Sequence, residues 1–455
     1  MAVPRRCSSR LRSFRALAGL EWRELLASRA WWLLLVMTGP LVGQAFITAV
    51  ESYAEVSGAG GGPAALAQGL SPLDGILVPT LGAYDLVVTF LFPFVAIRLV
   101  AAERESGAAK LLAQTPARLG TRLAVKAGIL LLGWLVAWIP ALLALLLWRG
   151  QGGHLNFAET ANVVLGHLLH ALLAAGVAVA AAAVCRSSAS AAIVTLGFTV
   201  GTWALDFVAA GRGGLLSLLA PFTPAAALRT FEHGELRLAV VAVVALASLA
   251  GFAFAGLWLN PYRSLPSRLV RSAALVLLTA AAALLASSWR SGWDLSEDRR
   301  SSFLQADEAV LRKIAQPVHV TVYLSPEDPK LTDLEQNVLA KLRRVLPRFA
   351  VTYAAQSRTG LFEDADSHYG EIWYQVGRRR DLVRSTIEPV VLAKIYELAG
   401  LAAPARASEP SYPGYPLAAS TRGAAPLFFI AWPLVAGLAY AASRGRWRSS
   451  CRDLL

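Results

Sequence analysis

The sequence predicts a mainly α, polytopic helical membrane protein of about eight spans, with a small external α/β domain between the seventh and the eighth. Three observations lead there. The 455-residue chain is 56% hydrophobic with a mean hydropathy of +0.50, too apolar for a soluble protein. Several apolar runs reach the ~20 residues that cross a hydrocarbon core of ~30 Å. One long segment instead has the alternation and charge of a water-soluble fold.

The spans read at Trp31–Val50, Tyr84–Val100, Ala127–Trp148, Ala161–Val184, Ala189–Ala209, Leu238–Trp258, Val270–Ser288 and Ala425–Ala442. Charge sets their direction, because short cytoplasmic loops retain Lys and Arg. With the N-terminus inside, the inner segments hold 21 Lys/Arg against 5 Asp/Glu, whereas the outer loops 51–81, 149–160 and 210–237 hold 4 against 6. The net charge of +13 is thus a topology signal and does not call for nucleic acid as a partner. Both termini are expected in the cytoplasm and residues 290–424 outside. Cys7, Cys185 and Cys451 then all fall inside, so no structural disulfide is implied. No short apolar region with a small-residue cleavage site opens the chain, so Trp31–Val50 reads as an uncleaved first helix.

Ahead of it, residues 1–30 carry Leu11, Phe14, Leu17, Leu20 and Leu25 at roughly helical spacing among charges, an amphipathic helix for the inner membrane surface. The loop 51–81 is rich in Gly and Ala and reads as a mobile connector. Asp85 and Asp206 fall near outer span ends, where water is close. His167 and His170 share one face of the fourth span; no Glu or Cys completes a ligand set, so packing or a local hydrogen bond is the simpler role.

Between spans two and three lies Glu103-Arg104-Glu105-Ser106-Gly107, followed by Leu111-Leu112, Thr115-Pro116 and Arg118, with Lys126 opening the next span. Helix formers run from Ala101 to Ala113, and Pro116 stops the helix. On charge alone this is an ordinary positive loop. The order of residues resembles the loop after the second span of ABC-2 type transporter permeases, with Ala108 where that family often has Thr. The resemblance implies that Glu103, Arg104, Glu105, Ser106, Gly107, Pro116 and Arg118 lie in a water-exposed element that docks on a separate ATPase subunit: charge for docking, Gly107 for close approach, Pro116 for the turn. It also makes residues 1–30 an elbow helix, residues 31–259 a six-span permease domain, and a second permease subunit or a homodimer an expected partner beside the lipid bilayer. Pro221, Phe222, Phe231, Gly234 and Glu235 before the sixth span resemble the branch associated with bacterial gliding motility and auxiliary transport, which implies the bacterial cytoplasmic membrane.

Residues 260–289 supply a seventh span. The external domain, 290–424, opens with Asp294-Leu295-Ser296 and a helical stretch at Phe303–Ile314. Alternating β-branched residues at Pro317–Leu324 predict a strand; a helix at Leu334–Leu346, strands at Phe349–Ala354 and Tyr369–Val376, and a helix at Ile387–Leu398 complete a small α/β fold. Arg378–Arg380 read as an exposed turn. The Asp-Leu-Ser opening, the Pro-Val-x-Val-x-Val-Tyr strand and Ile395–Gly400 resemble the auxiliary membrane subunit that partners the gliding-type permease, here shortened. An Ala/Pro/Ser linker (402–426) precedes the eighth span, 425–442, and a basic tail, 443–455.

No phosphate-binding loop, zinc-protease helix, nucleophile elbow or Cys cluster occurs in the sequence, so neither an enzyme activity of its own nor a cofactor is expected. His319, His368, Glu363, Asp364 and Asp366 could be drawn together as a metal site, but a solvated loop is the simpler reading. Two other classes compete with a permease: a membrane-anchored binding or scaffolding protein whose α/β domain recognises a ligand, and a membrane enzyme with its site in 290–424.

Overall fold

The computed structural model describes residues 5–57, 70–108, 111, 114, 118–209, 222–289, 291–325, 328–354, 368–404, 412 and 414–452. Among them are eight helices long and apolar enough to cross a membrane: Arg29–Val56, Leu73–Glu105, Leu119–Gly150, Phe157–Val184, Ser188–Leu205, Leu238–Trp258, Leu265–Ser287 and Ala424–Arg444. A leading helix, Arg5–Ala27, precedes them. The chain forms two compact units.

The first unit comprises residues 1–201, 238–289 and 414–455. Spans one to four form its core, with half or more of each buried, whereas less than a fifth of each of the other four is buried. Span two is longer than the sequence suggests. It starts at Leu73, not Tyr84, so Asp85 lies twelve residues inside it instead of at its end. Its early turns read as loop because Pro72, Asp74, Gly75 and Pro79 dilute the apolar run. The helix breaks at Leu91, and Pro93 starts the next stretch, where its missing N–H costs nothing.

Span four meets span six backbone to backbone at Gly176 and Gly251, where a Cβ on Gly251 would lie 2.7 Å from the Gly176 carbonyl. Span seven packs on span six, with Trp258 Nε1 donating to Ser272 Oγ at 3.1 Å. Span eight packs on span one. Gly39 and Gly43, one turn apart, make room for Trp432 and Phe428; a Cβ on Gly43 would sit 2.2 Å from the Phe428 Cβ. Such small-residue seams replace the hydrophobic effect as the reason helices associate in lipid. Trp432 Nε1 donates to the Leu35 carbonyl at 2.6 Å and Tyr440 packs on Trp32.

Part of the expected linker is an ordered strap. Tyr415 stacks on His154 at 3.7 Å and its carbonyl accepts from Tyr53 Oη at 2.8 Å. Gln151 Nε2 donates to the Ser420 carbonyl, and Thr421 bonds Glu51. The ends of spans one, three and eight near residues 51, 151 and 421 therefore gather together.

The second unit comprises residues 202–237 and 290–413. Its main sheet runs β4-β3-β5-β6, with β3 Val318–Val322, β4 Phe349–Tyr353, β5 Ile372–Val376 and β6 Arg379–Val383. β3 and β4 are parallel and joined by a helical crossover at 329–345; β5 is antiparallel to β3 and turns directly into β6. Val318, Val320, Val322, Ile372 and Tyr374 point into a core with Leu334, Leu342, Leu392 and Ile395. Alternate residues His319, Thr321, Trp373 and Gln375 stay half-exposed on the other face. Strands three to five lie where the alternation puts them. Arg379 and Arg380 are not a turn: they open β6, and Arg380 stacks over Trp373 at 4.4 Å. A further ribbon pairs β1 Glu235–Arg237 with β2 Gly292–Asp294.

Candidate functional site

The charged stretch that ends span two is drawn inward. The helix of span two ends at Glu105, where Ser106 Oγ donates back to the Ala102 carbonyl at 2.7 Å. Gly107 then takes φ +75°, a left-handed geometry that stops the helix and that a side chain would strain.

Glu103 is 4% exposed, which corrects the expectation of a water-exposed acid. Its Oε1 accepts from Lys126 Nζ at 2.8 Å, and its Oε2 lies 3.5 Å from Arg122. Lys126, 2% exposed, also donates to Glu21 Oε2 on the leading helix at 2.7 Å and to the Leu99 carbonyl at 2.7 Å. An ammonium has three donors, and here each has an acceptor. A buried charge left unpaired would cost several kcal/mol, so this complete pairing is what permits a lysine inside an apolar bundle. Leu25, fully buried one turn beyond Glu21, holds the leading helix against the same spot.

The two residues after Glu103 reach elsewhere. Arg104 donates to the carbonyls of Ala182 and, at 2.8 Å, Cys185, where span four ends. Glu105 Oε1 accepts from the Ser188 N–H at 3.2 Å, where span five begins. A helix C-terminus is the negative end of its dipole and an N-terminus the positive end. Adjacent residues of opposite sign thus clip two successive helix ends. Three consecutive residues connect five elements: span two, the leading helix, span three, span four and span five.

No family model, curated protein or solved structure matches this chain.

The cluster is not shaped for a metal. Oxygens of Glu21, Glu24 and Glu103 lie within 4.8 Å of one another, but the Lys126 ammonium already sits among them. The three carboxylates face Lys126, with Arg122 beside Glu103 and Arg98 acting on Glu24, and Glu24 Oε2 is buried without a hydrogen-bond partner among the described residues. The leading helix precedes the first span, and there burial pushes the Glu21 carboxyl up to about 7, against the pull of Lys126 and helped by repulsion from Glu103 and Glu24. Glu24 is raised too, chiefly by burial.

Of the residues singled out in the sequence, Glu103, Arg104, Glu105, Ser106 and Gly107 gather here, Arg118 is exposed at the start of span three, and Pro116 lies outside the described residues. Leu111, also in the loop, is 69% exposed. Glu21, Arg122 and Lys126 carry as much of the site but read in the sequence only as flanking charge. A signal was present: Glu21 is spaced four residues from Leu17 and Leu25, on the apolar face of its helix. The residues once grouped as a metal set are apart in role. His319 Nε2 bonds Thr352 Oγ1 at 3.0 Å, His368 bonds Glu371 at 3.0 Å, and Glu363, Asp364 and Asp366 lie outside the described residues.

Proposed function

We propose that this chain is the permease subunit of an ABC-2 type transporter, carrying a shortened auxiliary subunit in the same polypeptide, and that it moves its substrate with ATP hydrolysed on a separate subunit. The observation that supports this most is the tie made by Glu103, Arg104 and Glu105. A partner that pushes on the exposed residues Leu111 and Arg118 displaces the end of span two. Glu103 and Lys126 hand that displacement to the leading helix and span three, and Arg104 and Glu105 hand it to the turn between spans four and five. Docking falls to the exposed loop residues and transmission to the buried ones. The basic face of the bundle is the cytoplasmic one in this reading, and a second copy or a second permease completes the membrane part.

The experiment is reconstitution with the ATP-hydrolysing subunit that this reading expects to be encoded beside this gene. ATP turnover that depends on both proteins supports the reading; an absent neighbouring ATPase gene, or turnover by this chain alone, removes it. A membrane-anchored binding protein is the second reading, favoured by the open sheet face with Trp373 under Arg380. It predicts ligand capture by the second unit without any ATPase.

A further inference from the structure

The sequence pairs His167 with His170 on one face of span four and sets Asp85 apart from them near a span end, yet the fold brings Asp85 to His170. Asp85 lies about 18 Å along span two from its start, at 1.5 Å per residue. His170 lies near the middle of span four. Its Nε2 is 3.2 Å from Asp85 Oδ1 and 3.3 Å from Thr89 Oγ1, one turn further along span two. The His170 side chain is 11% exposed and that of Asp85 27%.

The surroundings hold little that could compensate a charge. Span one has no charged residue between Ala30 and Val50, span three none between Ala127 and Trp148, and span six none at all. From span four, His167 and Glu159 face inward, at 1% and 3% exposure, with Asn162 between them at 3%. Span two adds Tyr84, whose ring packs edge-on against His167, Trp134 and Trp138. Ionisable residues buried in a membrane bundle are expensive and are found where ions or protons pass.

A second observation points the same way. Thr80 Oγ1, Trp134 Nε1 and Trp138 Nε1 are buried without a hydrogen-bond partner among the described residues, on side chains 0%, 3% and 8% exposed. Buried polar groups of this kind are ordinarily satisfied by water. Thr80 is one turn from Tyr84 on span two, and Trp134 and Trp138 pack on the Tyr84 ring, which itself meets His167.

We propose that Asp85 and His170 form a proton-binding site inside the bundle, with Thr89 as a third partner and a polar ladder of Glu159, Asn162 and His167 leading to it from the nearer end of span four. The chemistry is a single exchange with water. With one proton the pair is net neutral, the proton lying on the carboxyl or on the imidazole. A second proton leaves an imidazolium beside a carboxylic acid, and loss of the first leaves a carboxylate beside a neutral ring. In apolar surroundings both net-charged forms are disfavoured relative to the net-neutral pair, which links spans two and four. The inference does not rest on the transporter reading.

The test is infrared titration of the purified full-length chain in lipid nanodiscs, reading the stretch of a protonated buried carboxyl. Asp85→Asn should remove one component of that band, read as the parent-minus-variant difference against the Glu21 and Glu24 background, and His170→Gln should shift that component's midpoint by about one pH unit or more, the effect of removing an adjacent charge partner. Glu51→Gln, at an exposed carboxylate, should change neither. The double variant Asp85→Asn/His170→Gln keeps a neutral hydrogen-bonding pair and guards against misfolding of the single ones. A parent-minus-Asp85→Asn difference spectrum with no protonated-carboxyl component, or a component that titrates identically in His170→Gln and the parent, overturns the proposal.

Discussion

Replacing Lys126 by Met keeps the stem that packs in the bundle and removes the charge that three acceptors share. Glu21 and Glu103 are then left in a site where their side chains are only 3% and 5% exposed. Glu103 retains Arg122 at 3.5 Å, but Glu21 loses its ion-pair partner. Breaking a buried ion pair from one side costs about 3–5 kcal/mol. If that falls on the attachment of the leading helix, its opening becomes roughly a hundredfold to a thousandfold more frequent, at about 1.4 kcal/mol per factor of ten. Hydrogen exchange of the Arg15–Ala27 amides in the detergent-solubilised protein measures this directly. Lys126→Met/Glu21→Gln removes both charges and should recover most of the loss, because the two sites are coupled. Exchange in Lys126→Met within a factor of two or so of the parent, or a double variant worse than the single one, would refute the reasoning.

Attachment of the same helix should depend on pH. Glu21 keeps its proton to about 7 when docked, against 4.5 for a free carboxyl, so docking takes up a proton in that window. Attachment is then strongest at low pH, weakens as pH rises from 4.5 through about 7, and levels off above; Glu21→Gln should flatten most of the dependence in an exchange titration, Glu24 contributing the remainder in the same direction. Gly43→Val should loosen span eight from span one, since its Cβ would fall 2.2 Å from the Phe428 Cβ; overpacking of this kind costs about 1–3 kcal/mol, read as a lower unfolding temperature and faster exchange near Trp432. Cysteines placed at Ser302 and Ser449 test sidedness: an impermeant thiol reagent applied outside should label the first alone, and labelling of only the second reverses the topology.

Eight spans were legible because about twenty apolar residues in a row leave few alternatives, and β3, β4 and β5 because Val, Thr and Tyr alternate with a period of two. β6 escaped because Arg379, Arg380 and Asp381 bury almost no side chain and look like a turn. β1 and β2 escaped because three-residue strands carry no period, and their pairing joins stretches on either side of two spans. The site was half legible. Its place was marked by charge and by Gly107, but charge in a loop looks exposed until its partners are known. The partners of Glu103 and Arg104 come from spans three and four, and Lys126 reaches on to Glu21 of the leading helix; no local pattern announces contacts between helices. Asp85 was misplaced for a related reason: a span start diluted by Pro72, Asp74 and Pro79 hid how deep it lies.

In the proposed function the loop after span two would receive a separate ATPase and Glu103–Glu105 would pass on its movement. Leu111→Glu with Arg118→Glu changes two exposed loop residues and leaves the buried ties intact. At a docking surface, repulsive or unpaired charge costs several kcal/mol, roughly a hundredfold or more in affinity. Val56→Glu with Glu55→Arg makes the matching change at the opposite end of span one, where both residues are exposed. Each form is co-expressed with a candidate ATPase subunit from the same genome and recovered through a tag on this chain. The account predicts that the loop variant loses the ATPase and the span-one variant keeps it; equal recovery by both would contradict it.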